Sequence, residues 1–472
     1  MGKFYITTTL PYVNADPHIG FALEIVQADA VARYQRLIGN EVFFNTGTDE
    51  HGLKIYREAK KAKLTPQKYV DSYAIKFDNL KNALNLSYDA FIRTTDKHHI
   101  KAAQEFWQRC DDNGDIYKKK YKINYCVGCE LEKTHSELIE GKCELHPKLK
   151  LEVIEEENYF FKFSKYQKQL LKIYKDSDYI VPASRLNEIK KFTQSGLEDF
   201  SVSRLKSKMP WGVPVPGDNE HVMYVWFDAL INYISTLGWP KKGKFEQFWP
   251  GMQVAGKDNL RQQTAMWQAM LLSAGLPSTK RFLIHGFIYT KGEKISKSEG
   301  NIVDPFALVK KYGTDAVRYY LLRYVHPVQD SDFTIDKLEK AYNADLANGL
   351  GNLVSRVSGL IEQNNVKIKL EKVKADKELA KLLDGFHFDQ ALKYIWEILA
   401  NVDGLISQTK PWELVKAGNI QEVNKILNQS VNDVYKASQL LKPFLPEIAD
   451  KVEKIFSAKK IKKAKPLFPR LS

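Results

Sequence analysis

The sequence is poor in cysteine and lacks any long apolar run. Only four of its 472 residues are cysteine, which argues against the disulfide framework of a small secreted protein. No apolar run approaches the roughly 18 residues that a helix needs to span a bilayer, so we expect no membrane partner. The first residues, MGKFYITTTL, contain no apolar stretch long enough for a secretory signal. We therefore expect a cytoplasmic protein.

Positive charge exceeds negative charge. The chain has 71 lysines and arginines against 57 aspartates and glutamates, a formal net charge of +14. Such an excess suits a polyanionic partner such as a nucleic acid. The alternative is a lysine-rich composition that only keeps the protein soluble. The length favours roughly two to four domains, because single hydrophobic cores stop growing well below this size.

Strand and helix patterns alternate along the first part of the chain. Phe4 to Leu10 predicts a strand, and Asp16 and Pro17 predict the N-cap and first residue of a helix that Gly39 ends. Glu41 to Asn45 predicts the next strand, and YDAFIRTT a third. This rhythm is typical of βαβ units, so we predict an α/β fold built on a parallel sheet.

Changes in this pattern divide the chain into four segments. We predict that the α/β domain has two halves, residues 1–114 and 222–335. Between them, residues 115–221 are predicted to form an insertion of short strands that contains the clustered cysteines. Little strand signal follows Asp304. Residues 336–472 predict a domain of amphipathic helices that ends in a basic tail, SAKKIKKAKPLFPR.

Two loops of the α/β segments carry residues suited to phosphates. The stretch PHIGF follows a strand and opens a helix, whose N-terminus favours an anion. There His18 could add a hydrogen bond, and Gly20 leaves room for a nucleotide. The loop KISKS places Lys294 and Lys297 three residues apart, and a mobile loop with two ammonium groups can close over a triphosphate. Taken separately, the alternatives are a capping histidine and a solvated lysine-rich loop.

Three of the four cysteines fall in one short stretch with metal-ligand spacing. Cys126-x2-Cys129 and Cys143-x2-His146 are separated by 13 residues, a two-pair pattern typical of tetrahedral zinc. All four ligands would come from the protein, so the site would be structural. His135 lies between the pairs and is the alternative ligand. The remaining cysteine, Cys110, precedes the pattern and is expected in the core.

The two phosphate loops together resemble the paired signatures of class I aminoacyl-tRNA synthetases. HIGF is similar to the HIGH motif of those enzymes, and KISKS to their KMSKS motif, in the same order. The stretches TTLPYVNADPHIG, GTDEHG, YVWFDALINY, VAGKDN, HGFI and KISKSEGN resemble the methionyl-tRNA synthetase family. The resemblance runs from Tyr5 to about Pro469.

The resemblance implies a fold and a reaction. It implies a Rossmann-type catalytic domain, interrupted by a zinc-binding insertion and followed by an α-helical anticodon-binding domain. The reaction would attach L-methionine to tRNA(Met), including the initiator tRNA, through a methionyl adenylate, with ATP and Mg²⁺. The family's C-terminal RNA-binding domain, on which some members dimerise, is not in this sequence, so a monomer is expected.

The resemblance also assigns residues to the two small substrates. Asp49 would pair with the methionine ammonium group, and Leu10, Tyr12, Trp226 and Tyr233 would form the walls of its pocket. ATP would contact His18, Gly20, Gly256, Asp258, Lys294 and Lys297. Two positions depart from the family pattern: Gln263 stands at the far end of the methionine pocket, and Phe21 in the HIGF motif, where histidine is common. We therefore assign phosphate contact to His18 and no polar role to Phe21.

The helical segment carries the residues that would contact RNA. In NGLGNLVSR the resemblance assigns Asn348, Asn352 and Arg356 to the anticodon, and their spacing of four and four places them on one helical face. In KPWEL it assigns Trp412 to stack on a base, a common mode of single-stranded RNA recognition. The alternative for the asparagines and arginine is a solvated helix face.

Overall fold

A parallel sheet forms the centre of the N-terminal part of the molecule. The structure is a computed structural model that describes residues 2–133, 138–290, 292–294 and 302–471. Its strands are β1 (Lys3–Thr8), β2 (Glu41–Thr48), β3 (Ala90–Arg93), β4 (Ile116–Cys126), β5 (Leu131–Lys133), β6 (Leu138–Ile139), β7 (Lys142–Cys143), β8 (Glu152–Phe161), β9 (Ile180–Val181), β10 (Phe200–Ser201), β11 (Ser203–Leu205), β12 (His221–Met223), β13 (Met252–Gly256), β14 (Arg281–His285), β15 (Ile288–Thr290), β16 (Glu293–Lys294) and β17 (Ser331–Phe333).

Helices cover the sheet and make up most of the C-terminal part. They are α1 (Ile19–Leu37), α2 (Leu53–Lys61), α3 (Pro66–Asp78), α4 (Leu80–Ala83), α5 (Lys97–Asp112), α6 (Gln167–Ile173), α7 (Ala183–Gln194), α8 (Val225–Leu230), α9 (Asn232–Ser235), α10 (Lys244–Phe248), α11 (Trp267–Ser273), α12 (Pro305–Tyr312), α13 (Thr314–Arg323), α14 (Ile335–Ala341), α15 (Asn352–Asn364), α16 (Lys377–Asp384), α17 (Phe388–Thr409), α18 (Pro411–Lys416), α19 (Ile420–Leu441) and α20 (Pro446–Phe456). Two π-helical segments occur, at Gln262–Met266 and Tyr342–Gly351. Among the described residues, no helix has the length and hydropathy needed to cross a bilayer.

The strand order of the parallel sheet creates a ligand crevice. The order is β3-β2-β1-β13-β14-β9, and every neighbouring pair is parallel. The chain builds outward from β1 to β3 and later resumes at β13 on the other side of β1. Ligands of such sheets bind beyond the carboxyl ends of the strands at this reversal. The α/β fold with a parallel sheet is thus confirmed.

One local expectation, about the start of the first helix, is wrong. Helix α1 begins at Ile19, and its N-cap is His18, whose backbone is extended at φ −129°. Asp16 and Pro17 therefore precede the helix. Within the segment 115–221, strand β9 pairs with β14 and forms an edge of the parallel sheet. A short strand, β17, also follows Asp304 and pairs with β15.

The remainder of segment 115–221 contains a small antiparallel sheet of order β10-β8-β4-β5. Its long pair, β4 and β8, places lysines opposite glutamates, as in Lys120 opposite Glu157 and Lys122 opposite Glu155. Opposite charges across a strand pair are favourable. This sheet holds the first cysteine pair at the end of β4.

The helical part shares one continuous hydrophobic core with part of the α/β part. The fully buried Arg318 of α13 joins the two, since it pairs with Asp29 of α1 at 2.8 Å and donates to the Phe444 carbonyl at 2.7 Å. The basic tail also packs on the helices. Its Phe468 is buried against Tyr342, with ring centroids 5.8 Å apart.

Candidate active site

A cavity of about 460 Å³ lies at the carboxyl ends of β1 and β13. It is the crevice that the strand order predicts. The following residues with sequence-predicted roles line it: Leu10, Tyr12, His18, Gly20, Asp49, Trp226, Tyr233, Gly256, Asp258 and Gln263. Lys294 lies on β16, and Lys297 falls outside the described residues. Residues up to 253 positions apart in the chain, such as Leu10 and Gln263, therefore meet in one cavity.

His18 stands at the entrance to α1 on one side of the cavity. Its Nδ1 accepts a hydrogen bond of 3.1 Å from the Gly20 backbone N–H. An imidazole whose Nδ1 accepts carries its ring proton on Nε2, and this N–H is a donor suited to a phosphate oxygen. A Cβ on Gly20 would lie 2.9 Å from His18 Cε1, so glycine provides the space for the ring. The helix dipole adds positive potential at the same point.

His285 and Glu24 form a second polar pair in the cavity, which the sequence analysis did not assign. His285 Nε2 lies 2.9 Å from Glu24 Oε2, and Glu24 Oε1 accepts from the Thr9 backbone N–H at 2.7 Å. Burial would lower the pKa of His285, but the hydrogen bond and charge of Glu24 raise it above its ordinary value. The pair joins α1 to the ends of β1 and β14. The signal available in the sequence was the position of His285 at the end of a strand, in HGFI.

Asp258 and Gly256 lie where β13 ends. A Cβ on Gly256 would lie only 2.7 Å from Asp258 Oδ1, so a larger residue would displace this carboxylate. Lys257 has its ammonium 2.6 Å from Asp330 and is thereby directed to the protein surface. The exposed Asp258 borders the cavity, suitably for a hydroxyl-rich ligand.

Asp49 is a buried carboxylate on the other side of the cavity. It follows β2 and is 8% exposed, and its Oδ1 has no hydrogen-bond partner within the described part of the chain. Burial and the nearby carboxylates of Asp228 and Glu130 raise the pKa of Asp49 well above its ordinary value. Such a group favours a cationic ligand, because a bound ammonium would offset both the desolvation and the repulsion.

A buried histidine–aspartate network lies behind Asp49. Asp228 on α8 is 2.7 Å from His51 Nδ1 and 2.9 Å from His99 Nε2. His99 Nδ1 also lies 2.9 Å from Ser235 Oγ. Burial would raise the pKa of Asp228, but the two histidines outweigh it and hold that pKa below its ordinary value. The network fixes α8 against the loop that carries Asp49.

Aromatic side chains and an amide form the apolar end of the cavity. Gln263 Nε2 donates to Tyr233 Oη at 2.6 Å, while Gln263 Oε1 has no partner among the described residues. The ring of Tyr233 lies 5.9 Å from that of Trp267, and its main chain is fixed by the Tyr5 hydroxyl at 2.8 Å. Trp226 Nε1 is likewise buried without a described partner. Aromatic walls of this kind pack well against a thioether.

The cysteine cluster borders the same cavity. Ligand atoms of Cys126, Cys129, Cys143 and His146 lie within 4.8 Å of one another. Cys129 Sγ is 3.6 Å from Cys143 Sγ, and His146 Nδ1 is 3.8 Å from Cys126 Sγ. Tetrahedral zinc with Zn–S bonds of about 2.3 Å separates its sulfur ligands by about 3.8 Å.

The donor set and its spacing therefore fit a metal ion such as zinc. Gly128 allows the His146 ring to approach the backbone closely, because a Cβ there would lie 2.5 Å from that ring. His135, the alternative ligand, falls outside the described residues. Cys110 is buried in the core, as expected, and burial raises its pKa to about 12.

The residues with predicted anticodon roles lie on the helical part. Asn348 and Asn352 are exposed, and Trp412 is 38% exposed. Arg356 lies 5.5 Å from the Trp412 ring and pairs with Asp403 at 2.9 Å. Asn348 belongs to the π-helical segment, so a spacing argument based on a regular α-helix does not apply to it. The structure brings Arg356 and Trp412 together although they lie on different helices.

Comparison with known proteins agrees with this geometry. The family model for tRNA synthetases class I (M) matches residues 4–150 and 129–358. The chain is 42% identical over 470 residues to methionine–tRNA ligase of Thermotoga maritima, covering 95% of this chain and 74% of that protein. It is 41% identical over 469 residues to methionine–tRNA ligase of Mesorhizobium japonicum, covering 95% and 90%.

A solved structure extends the likeness to three dimensions. Methionyl-tRNA synthetase of Mycobacterium tuberculosis, in complex with methionyl-adenylate, has a TM-score of 0.93 at 35% identity, with 100% of both chains covered. The free state of that enzyme has a TM-score of 0.86 at 31% identity. These matches cover nearly the whole chain, and with the cavity they lead to one conclusion: the chain belongs to the methionyl-tRNA synthetase family of class I aminoacyl-tRNA synthetases.

Proposed function

We propose that the cavity performs the ATP-dependent attachment of L-methionine to tRNA(Met). The methionine carboxylate attacks the α-phosphorus of ATP, the bond to the β-phosphate oxygen breaks, and diphosphate leaves. A hydroxyl of the terminal adenosine of the tRNA then attacks the carbonyl carbon of the adenylate, loses its proton and displaces AMP. No protein nucleophile is needed. The observation that carries this proposal is the buried carboxylate of Asp49, whose Oδ1 has no partner among the described residues, in the same cavity as the helix entrance at His18.

The methionine end of the cavity supports a zwitterionic, thioether-containing substrate. Asp49 would bind the ammonium group, and Leu10 and Tyr12 would line the neighbouring wall. The side chain would lie between Trp226 and Tyr233. At the far end of the pocket, Gln263 donates a hydrogen bond to Tyr233 and closes it. Gln263 thus keeps the polar contact that histidine would supply, with a longer and more flexible side chain.

The phosphate end supports stabilisation of charge as diphosphate leaves. His18 would donate from Nε2 to a phosphate oxygen, Gly20 and Gly256 would leave space for the nucleotide, and Asp258 would accept from the ribose hydroxyls. The remaining positive charge would come from the loop that contains Lys294 and Lys297. Mg²⁺ bound with ATP would neutralise further phosphate charge.

The cysteine cluster would hold a structural zinc ion. Cys126, Cys129, Cys143 and His146 fill a tetrahedral ligand set, so no position would remain for a substrate. When bound, the ion cross-links two short segments that have little core of their own. The thiolates and the imidazole suit zinc better than they suit magnesium or calcium.

The exposed face of the helical part would bind the anticodon. Its asparagines, Asn348 and Asn352, offer amides to base edges, and Trp412 offers a ring for stacking. Arg356 packs on that ring through its cation–π contact. The net charge of +14 suits the RNA backbone.

Amino-acid-dependent exchange of diphosphate into ATP tests the proposal. We expect exchange with methionine alone across a panel of the standard amino acids, and charging of tRNA(Met) transcripts when these are added. Exchange with another amino acid, or no exchange by folded protein supplied with zinc and magnesium, would contradict it.

A further inference from the structure

Glu130 is a buried acidic residue that follows the metal-ligand candidate Cys129 directly. It is 4% exposed and its φ is 49°, in the left-handed region that glutamate rarely adopts. It also lines the cavity at the edge of the cysteine cluster. An unusual backbone conformation held by a buried polar residue at a ligand cavity suggests that its side chain has a function there.

Both carboxylate oxygens of Glu130, and its carbonyl, accept hydrogen bonds. Oε1 accepts from Tyr12 Oη at 3.0 Å and from the Lys54 backbone N–H at 2.6 Å. Oε2 accepts from the hydroxyl of Tyr125, and the main-chain carbonyl accepts from the hydroxyl of Tyr224. One residue thus contacts a neighbour on β4 and three distant positions of the chain.

Three of these partners belong to the segments that form the methionine side. Tyr12 forms an isolated parallel bridge with Asp49. Lys54 lies in the first turn of α2, the helix that follows Asp49. Tyr224 is the N-cap of α8, two residues before Trp226.

The chain leaves room for these contacts. Gly52 has a φ of 115°, and a Cβ there would lie 2.4 Å from Tyr12 Oη and 3.3 Å from Glu130 Oε1. Only glycine therefore allows the tyrosine and the glutamate to meet at this point.

We propose that Glu130 is a positioning residue through which the cysteine cluster controls methionine affinity. Metal ligation by Cys126 and Cys129 fixes the turn that ends at Glu130. The carboxylate in turn holds Tyr12 and α2 around the methionine ammonium, and the Glu130 carbonyl holds Tyr224 at the start of α8. The inference rests on the proposed function and adds to it a dependence of substrate binding on metal occupancy.

Substitution of Glu130 tests its positioning role. Glu130→Ala should weaken methionine binding, measured by calorimetry without ATP, by about tenfold or more, as is typical when a partner behind a ligand set is lost. The KM for ATP should change by less than about twofold. Glu130→Gln retains one acceptor oxygen, which can accept from Tyr12 and Lys54 as Oε1 does, and should restore affinity to within about threefold of the parent. An unchanged methionine Kd in Glu130→Ala would overturn the proposal.

Glu144→Gln provides the matched control. Glu144 is an exposed carboxylate of the same cluster segment and lies between Cys143 and His146. Its substitution should leave methionine affinity unchanged. Equal losses in Glu144→Gln and Glu130→Ala would show a general effect of charge in this segment and would reject a specific role for Glu130.

Removal of the metal tests the coupling itself. Dialysis of the parent protein against a chelator should raise the methionine Kd by about tenfold, and added Zn²⁺ should restore it. In Glu130→Ala the same treatment should change the Kd by less than about twofold, because the connection is already lost. Equal changes in parent and variant would overturn the coupling.

Folding and the proposed function are checked separately. Thermal unfolding monitored by circular dichroism identifies a variant that has lost its fold. If Glu130→Ala unfolds, the metal dependence is measured instead in Tyr12→Phe, which removes one hydrogen bond to the Glu130 carboxylate and must reduce that dependence. Absence of methionine-dependent exchange in the parent would reject the proposed function, whereas exchange with a metal-independent methionine Kd would reject this inference alone.

Discussion

The methionine side of the cavity and the exposed face around Trp412 differ in how their polar groups are satisfied. In the cavity, buried atoms of Asp49, Trp226 and Gln263 have no partner within the described residues. On the exposed face, Arg356 is paired with Asp403 and packed on the Trp412 ring. A buried unpaired polar group costs about 1–3 kcal/mol, whereas an exposed one is satisfied by water. Unpaired buried groups that line a cavity therefore support a small-ligand site there, while the RNA face depends on resemblance for its assignment.

The largest effect should follow from removal of the buried charge. Asp49→Asn should lower kcat/KM for methionine in ATP–diphosphate exchange by about 100-fold or more, because a desolvated charge pair is lost. The Kd for tRNA, measured by filter binding, should remain within about twofold. Asp450→Asn, at an exposed position on α20, is the matched control and should behave as the parent. A comparable loss of tRNA affinity in Asp49→Asn would remove the distinction between the two regions.

An effect of about tenfold should follow on the exposed face. Trp412→Ala should lower the rate of tRNA charging at limiting tRNA by about tenfold, since base stacking on an aromatic contributes about 1–3 kcal/mol. Exchange without tRNA should not change. Ile420→Ala removes another exposed apolar side chain, 48% exposed, and serves as the control. A simultaneous loss of exchange in Trp412→Ala would mean that this face is not separate from the cavity.

Acidification should weaken methionine binding through Asp49. Burial and neighbouring carboxylates raise the pKa of this group in the free protein, and a bound ammonium requires its ionised form. As pH falls through the raised pKa, binding must first remove a proton, and methionine affinity should fall by up to about tenfold per pH unit. The Asp49→Asn variant should lose this dependence. A parent protein whose methionine Kd is constant through the acid range would contradict the assignment.

The smallest effect should follow at Gln263. In the parent, the Tyr233 hydroxyl lies 2.6 Å from the amide nitrogen of Gln263. Gln263→His retains a hydrogen-bond donor toward that hydroxyl. We expect the KM for methionine to change by less than about threefold in exchange assays, because the hydrogen bond persists. Gln263→Leu removes it and should have the larger effect. The reverse order would show that the shape of the side chain matters more than its hydrogen bond.

Local signals in the sequence predicted much of this structure but not all of it. The motifs named ten residues that line one cavity, while the roles of these residues remain predictions. Asp16 and Pro17 are also a good local signal for a helix start, yet the helix begins at Ile19, with His18 as its N-cap. There the backbone N–H of Ile19 donates to Val303, a contact that the local sequence does not contain.

Other features depend on partners far apart in the chain. His285 and Glu24 are 261 residues apart, and Tyr12 and Glu130 are 118 residues apart. Neither pair has a spacing pattern, so sequence analysis had no means of joining them. The π-helical segment that carries Asn348 is likewise a result of packing, because its residues read as an ordinary amphipathic helix.

Discrimination between methionine and its analogue without the amino group tests the central claim most directly. The dissociation constants of methionine and 4-(methylthio)butanoic acid would be measured in the parent and in Asp49→Asn. We expect the parent to bind methionine about 100-fold or more tightly than the analogue. In Asp49→Asn the ratio of the two dissociation constants should fall to near one. A ratio that is the same in both proteins would contradict the role of Asp49 as the ammonium-binding group.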